Sequence, residues 1–125
     1  VDNITVIFWD LNNLKIINDT YGHEYGDKAL SALASVLYAH SDEQCRRVYR
    51  FGGDEFVMII DNPHDGEADR ITSAVKDELV KCSYDISIEI SSAVGVASGN
   101  GSDIIEIVKN ADSAMYADKQ LYHHR

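Results

Sequence analysis

Gly52 and Gly53 separate two short strand-like runs, Arg47-Val48-Tyr49-Arg50-Phe51 and Val57-Met58-Ile59-Ile60. Two glycines between two such runs predict a β-hairpin, and with it an antiparallel pair of strands. Asp54 and Glu55 follow the glycines at once, so two carboxylates stand at the tip. Glycine lets a backbone approach phosphate oxygens closely. A carboxylate beside that approach can hold the hard cation that phosphates require. The pentapeptide Gly52-Gly53-Asp54-Glu55-Phe56 also suits an ordinary acidic turn, and the hairpin alone leaves both readings open.

The flanking sequence predicts the remaining elements. Residues 4–9 form a continuous apolar run that ends at Asp10, which suits a strand covered on both faces. Residues 14–21 read as a short helix stopped by Gly22, and Ala29, Leu30, Leu33, Ala34 and Leu37 mark a second helix opened by Gly26-Asp27. The hairpin strands fall near 46–51 and 55–60, and residues 62–66 form a polar loop. Ala68, Ile71, Val75 and Leu79 mark the next helix. Residues 84–96 read as strand, from the alternation of Ile86, Ile88 and Ile90 and then Ala93-Val94-Gly95-Val96. Residues 99–102 read as a loop, and Ile104, Val108, Ala111 and Met115 define a last helix running to about Tyr122. The order β-α-α-β-β-α-β-α predicts the α+β class. The sheet is expected to be mixed but mainly antiparallel and flanked by helices, close to a ferredoxin-like βαββαβ core with an extra helix.

At 125 residues, 45% of them hydrophobic, the chain has the size and composition of one globular domain, residues 1–125. It starts directly in a strand-like segment, so excision from a longer protein is expected. A net charge of −10 argues against a non-specific nucleic-acid binder. It is compatible with a polyphosphate, provided a divalent metal bridges the two sets of negative charge. No run approaches the length of a membrane span, and the first residues given do not read as a signal peptide. Cys45 and Cys82 lack any zinc-ligand spacing and are expected to be buried, reduced thiols of a cytosolic protein. The His123-His124 pair is equally compatible with a native end and with an appended tail.

Several polar residues have both a plain and a chemical reading. Asp10 either terminates its strand or is held by it as a metal ligand that converges with Asp54. Asn18 and Asp27 either serve helix ends or recognise a purine base, since Asp can accept from guanine N1–H and N2–H. Lys119 extends the apolar stripe Val108, Ala111, Met115, so it either snorkels outward or meets an anion. Asp118 beside it reads as solvent-facing.

Four ordered motifs give the chain a family resemblance. They are Asp10-Leu11-Asn12-Asn13-Leu14-Lys15-Ile16-Ile17-Asn18-Asp19, Tyr21-Gly22-His23-Glu24-Tyr25-Gly26-Asp27, Arg50-Phe51-Gly52-Gly53-Asp54-Glu55-Phe56 and Ala111-Asp112-Ser113-Ala114-Met115-Tyr116-Ala117-Asp118-Lys119. In this order they resemble the GGDEF domain of diguanylate cyclases over nearly the whole chain. The resemblance implies condensation of two GTP into cyclic di-GMP and two pyrophosphates, at a site formed between two facing protomers. It implies Asp54, Glu55 and Asp10 as catalytic residues, with Asp10, Asp54 and the Leu11 carbonyl as ligands of Mg²⁺ or Mn²⁺. Asn18 and Asp27 would recognise guanine. Gly52, Gly53 and the amides of Asn13, Leu14 and Lys15 would lie along the phosphates, and Lys119 would contact the terminal phosphate. GTP as substrate implies a cytoplasmic domain, and the family implies attached sensory or phosphodiesterase modules.

The chain departs from the family pattern at named positions. The inhibitory Arg-x-x-Asp is replaced by Glu43-Gln44-Cys45-Arg46, with both charges wrong, so no product inhibition is expected there. Asn12 replaces the second acid of the usual Asp-x-Asp, and Asn13 replaces the aromatic after it. His123 stands about where a phosphate-binding Arg is usual, which would weaken GTP binding or make it pH-sensitive. The usual upstream Leu-Thr-Gly-Leu segment is absent, so weaker stability and dimerisation are expected. Beside the cyclase, the sequence supports an alternative: a catalytically inactive GTP-binding domain that regulates an attached module such as a cyclic di-GMP phosphodiesterase. A cyclic di-GMP receptor is disfavoured by Glu43 and Arg46.

Overall fold

The computed structural model describes residues 2–42 and 44–123. Glu43 and His124, and the side chain of His123, lie outside the described residues. The elements are β1 (Asn3–Leu11), α1 (Leu14–Tyr21), α2 (His23–Ala39), β2 (Arg46–Arg50), β3 (Glu55–Asp61), α3 (Glu67–Ile86), β4 (Ser92–Asn100), a 3₁₀ turn (Gly101–Asp103) and α4 (Ile104–His123). The strands form one sheet in the order β2-β3-β1-β4, and every pairing in it is antiparallel. This is the ferredoxin-like arrangement with an added helix, on an antiparallel rather than a mixed sheet.

The apolar run of β1 reflects its central place. Side chains alternate across a strand. Ile7, Trp9 and Leu11 enter a core with Ile17 of α1, Leu33 and Leu37 of α2 and Val75 and Leu79 of α3. Ile4, Val6 and Phe8 enter a second core on the opposite face, with Ile107, Ala111 and Met115 of α4. Phe8 and Trp9 are both about fully buried, and burial of each such side chain stabilises the fold by roughly 1.5–3 kcal/mol. Asp10 shares the strand face of Phe8, so its carboxylate belongs to the α4 side.

Four sequence expectations are corrected. α2 begins at His23, not at Gly26-Asp27. Gly22, at φ 96°, makes the break between α1 and α2, whereas Gly26 lies inside α2, at a position where a Cβ would come 1.8 Å from Asn18 Oδ1. α3 continues to Ile86, and residues 87–91 are irregular rather than strand. Cys82 and Ile86 pack on the core beside Leu79 at helical spacing. Ser83 Oγ then accepts from the Ile90 amide at 2.8 Å and donates to the Leu79 carbonyl at 2.8 Å, which folds the segment back. β4 extends through Asn100, and residues 101–103 are 3₁₀, so residues 99–102 are not a free loop. Finally, both cysteines are free, but Cys45 is exposed and Cys82 only partly buried. Among the described residues, no helix is long and apolar enough to cross a membrane.

Candidate active site at the hairpin tip

Antiparallel register brings the ends of β1 and β3 together. Asp10 lies opposite Glu55. One step further, the Leu11 amide donates to the Asp54 carbonyl at 3.2 Å. The hairpin closes through the Phe51 amide, which donates to the Glu55 carbonyl at 2.8 Å. Arg50 pins the glycines: its Nε donates to the Gly52 carbonyl at 3.3 Å, and its other arm donates to the Gly53 carbonyl. The strands thus fix both the position of the tip and the side on which its carboxylates stand.

α4 completes the cluster from the opposite end of the chain. Lys119 Nζ lies 2.9 Å from Asp10 Oδ1 and donates to the Leu11 carbonyl at 3.2 Å. The contact with Asp10 is a short ion pair at a buried carboxylate oxygen. Burial pushes the Asp10 carboxyl above its ordinary value of 3.8; Lys119 opposes the rise, and the nearby Asp54 adds to it. Glu55 is also raised, first by burial and then by the charges of Asp10, Asp112 and Asp54. Asp10, Asp54, Glu55 and Lys119 therefore converge, with negative charge in excess. Asp118 is not solvent-facing as expected: its Oδ2 accepts the outward Val94 amide of β4 at 2.9 Å. Its neighbour Lys119 remains the cation of the cluster.

The loop after β1 is set by its two asparagines. Asn12 is buried, and its Nδ2 donates to Ser91 Oγ at 3.0 Å. Asn13 adopts a left-handed conformation at φ 61° and donates from Nδ2 to Tyr122 Oη at 2.9 Å. It precedes α1 without a side-chain cap, which leaves the first amides of the helix to an outside acceptor. The Lys15 side chain is exposed and pairs with Asp19 at 2.9 Å. Leu14 is partly buried against the core.

Asn18 and Asp27 stand on α1 and α2. Asn18 Oδ1 is buried without a partner, whereas Asp27 is exposed. No hydrogen bond or ion pair among the described residues links either to the carboxylate cluster. Sequence reading missed Arg50 and Tyr122 as positioning residues; the place of Arg50 two residues before Gly52 was the available signal. Arg46 is turned away from the tip, with Nε donating to Glu67 at 2.8 Å.

The donor set suits a hard divalent cation. Two carboxylates and a carbonyl offer only oxygen, the donor type that a hard cation prefers. Among the described residues no group of three or more His, Cys, Asp or Glu is arranged to hold a metal by itself. Mg²⁺ is usually held by one or two carboxylates together with phosphates. A cavity of about 850 Å³ lies elsewhere, between α3 and β4, and is lined by Trp9, Asn12, Leu79, Tyr84 and Ile90. None of the four charged residues at the tip lines it.

Comparison with known proteins identifies the family. The chain is 33% identical over 124 residues to diguanylate cyclase DosC of Shigella sonnei, matching 94% of this chain and 26% of that protein. It is 37% identical over 122 residues to the bifunctional diguanylate cyclase/cyclic di-GMP phosphodiesterase MucR of Pseudomonas aeruginosa, matching 91% of this chain and 17% of that protein. The chain thus spans about a quarter or less of these relatives. The solved active GGEEF domain of a diguanylate cyclase from Vibrio cholerae superposes with a TM-score of 0.82 at 27% identity, covering 95% of this chain and 78% of that one. Residues 2–125 match the family described as diguanylate cyclase, GGDEF domain, and the chain belongs to the GGDEF domain family.

Proposed function

We propose that the chain is a diguanylate cyclase domain that condenses two GTP into cyclic di-GMP and two pyrophosphates, between two facing protomers. The observation that carries this reading is the convergence of Asp10, Asp54, Glu55 and Lys119 at an intact Gly52–Phe56 turn. In each half-reaction the 3′-hydroxyl oxygen of one GTP bonds to the α-phosphorus of the other. The bond from that phosphorus to the pyrophosphate oxygen breaks, and the hydroxyl proton is released. Two such exchanges close the ring.

The residues divide this work. Asp10, Asp54 and the Leu11 carbonyl would hold Mg²⁺ or Mn²⁺, with Glu55 beside them. When bound, the metal neutralises phosphate charge and lowers the pKa of the attacking hydroxyl. Gly52, Gly53 and the uncapped amides of Asn13, Leu14 and Lys15 lie along the phosphates. Lys119 supplies a point charge for the terminal phosphate. The unpartnered Asn18 Oδ1, together with Asp27, selects guanine. The remaining contribution is positioning, since each protomer brings only one of the two reactants.

The test is cyclic di-GMP formation from GTP and Mg²⁺, at high protein concentration or with the domain fused to a dimeriser. Product that disappears in Asp54→Ala supports the cyclase. Absence of product from a confirmed dimer that still binds GTP in a metal-dependent way replaces it with the regulatory GTP-binding reading. A cytoplasmic setting and an attached sensory or phosphodiesterase module belong to the same proposal.

A further inference from the structure

The Lys119 ammonium holds the two atoms that the proposed metal site shares between β1 and its loop, Asp10 Oδ1 at 2.9 Å and the Leu11 carbonyl at 3.2 Å. These are the donors a hard cation would use. Mg²⁺ sits about 2.1 Å from its oxygens. A metal at that distance from both atoms would fall within contact range of an ammonium already held by the same pair. Two positive charges there would also repel across a partly dry site, since the Asp10 and Lys119 side chains are only 13% and 21% exposed. The same oxygens cannot serve both cations at once.

We infer that Lys119 is an exchangeable counter-cation: it occupies the Asp10–Leu11 position before substrate arrives, and metal with polyphosphate displaces it. The inference rests on the metal assignment proposed above and adds an order of events to it. Without a cation, the carboxylates of Asp10, Asp54 and Glu55 would repel one another in a partly buried cluster, and Lys119 opposes that repulsion at both Asp10 and Glu55. The neighbouring acid does not compete for the ammonium, because Asp118 is bound to the Val94 amide. The four-carbon stem lets the ammonium swing without moving α4. A polyphosphate arriving with the metal supplies the released ammonium with a new anionic partner. Metal alone therefore binds against the cost of displacing Lys119, and phosphate removes that cost, so the two ligands bind cooperatively.

Titration of the nucleotide-free chain with Mn²⁺, read from the spin-resonance signal of free Mn²⁺, tests the exchange. Lys119→Met keeps an unbranched stem and removes the charge. We expect it to bind Mn²⁺ about fivefold or more tightly than the unaltered chain, the lower end of ordinary coupling between sites. Lys119→Gln gives the same rise and serves if Lys119→Met fails to fold. Added inorganic pyrophosphate should strengthen Mn²⁺ binding more in the unaltered chain than in either variant. Equal or weaker Mn²⁺ binding by both variants overturns the exchange. Asp10→Asn separates the two levels: Mn²⁺ binding unchanged by Asp10→Asn overturns the metal assignment itself. Binding lost in Asp10→Asn but insensitive to Lys119 overturns the exchange alone.

Discussion

Single atoms decide the chemistry of this domain. Asp54 stands at the tip with its backbone tied to Leu11 and its carboxylate beside Asp10. Asp54→Ala is expected to abolish cyclic di-GMP synthesis while leaving the thermal transition intact, and retained synthesis would count against its metal role. Gly26 has a different part. A Cβ there would come 1.8 Å from Asn18 Oδ1 and 3.2 Å from Leu14 Cδ1, and Asn18 is the softer of the two contacts. Gly26→Ala should therefore fold but displace the Asn18 carboxamide, weakening GTP binding by about tenfold, one lost hydrogen bond to a buried group. Unchanged GTP affinity would remove Asn18 from base recognition. Asp27→Ala should lower the preference for guanine over adenine, read by competition between the two nucleotides. At this scale the sequence was legible where a motif is local, as in Gly52 to Phe56. The ion pair of Lys119 with Asp10 was not, because Lys119 reaches the Leu11 carbonyl across 108 positions and only the fold joins them.

Elements meet through a few close approaches and one buried acid. α4 lies on β4 so tightly that a Cβ on Gly95 would come 2.1 Å from the Met115 amide nitrogen. Backbone cannot yield as a side-chain tip does, so Gly95→Val is expected to cost roughly 3 kcal/mol or prevent folding, as measured by urea denaturation. Glu67 opens α3 and accepts from Arg46 of β2 and from the His64 amide. Burial raises its pKa, but the His64 amide and Arg46 outweigh burial and hold the carboxyl below its ordinary value of 4.5. A lowered acid stabilises the fold above its unfolded pKa, and that contribution fades as pH falls through the folded value. Glu67→Gln should thus lose about 2 kcal/mol at neutral pH, with the difference from the unaltered chain shrinking below pH 4.5. A difference independent of pH would show that packing, not charge, sets the effect. The bounds of α1 were legible because Gly22 interrupts the chain, and the burial of β1 was legible because both faces are apolar. The end of α3 was not: Ile86, Ile88 and Ile90 alternate as a strand would, while Leu79, Cys82 and Ile86 share a helical face, and packing against the core decided for the helix.

The whole molecule carries a net charge of −10, and the proposed reaction needs two copies facing each other. Two such protomers repel at long range, and salt screens that repulsion. Dimer content, followed by sedimentation, should therefore rise as ionic strength increases from low values. A fall would show that attractive ion pairs dominate the contact. The ferredoxin-like βαββαβ core was legible from the alternation of elements and one hairpin, whereas the strand order β2-β3-β1-β4 and its wholly antiparallel pairing had to be seen. That topology also sets a timetable. β1 is made first and α4 last, yet Asp10 and Lys119 face each other across them. A chain emerging from the ribosome exposes its acidic residues well before the lysine that neutralises them exists. On the function proposed above, a protein truncated before α4 would present the signature turn without Lys119 and so without a complete site.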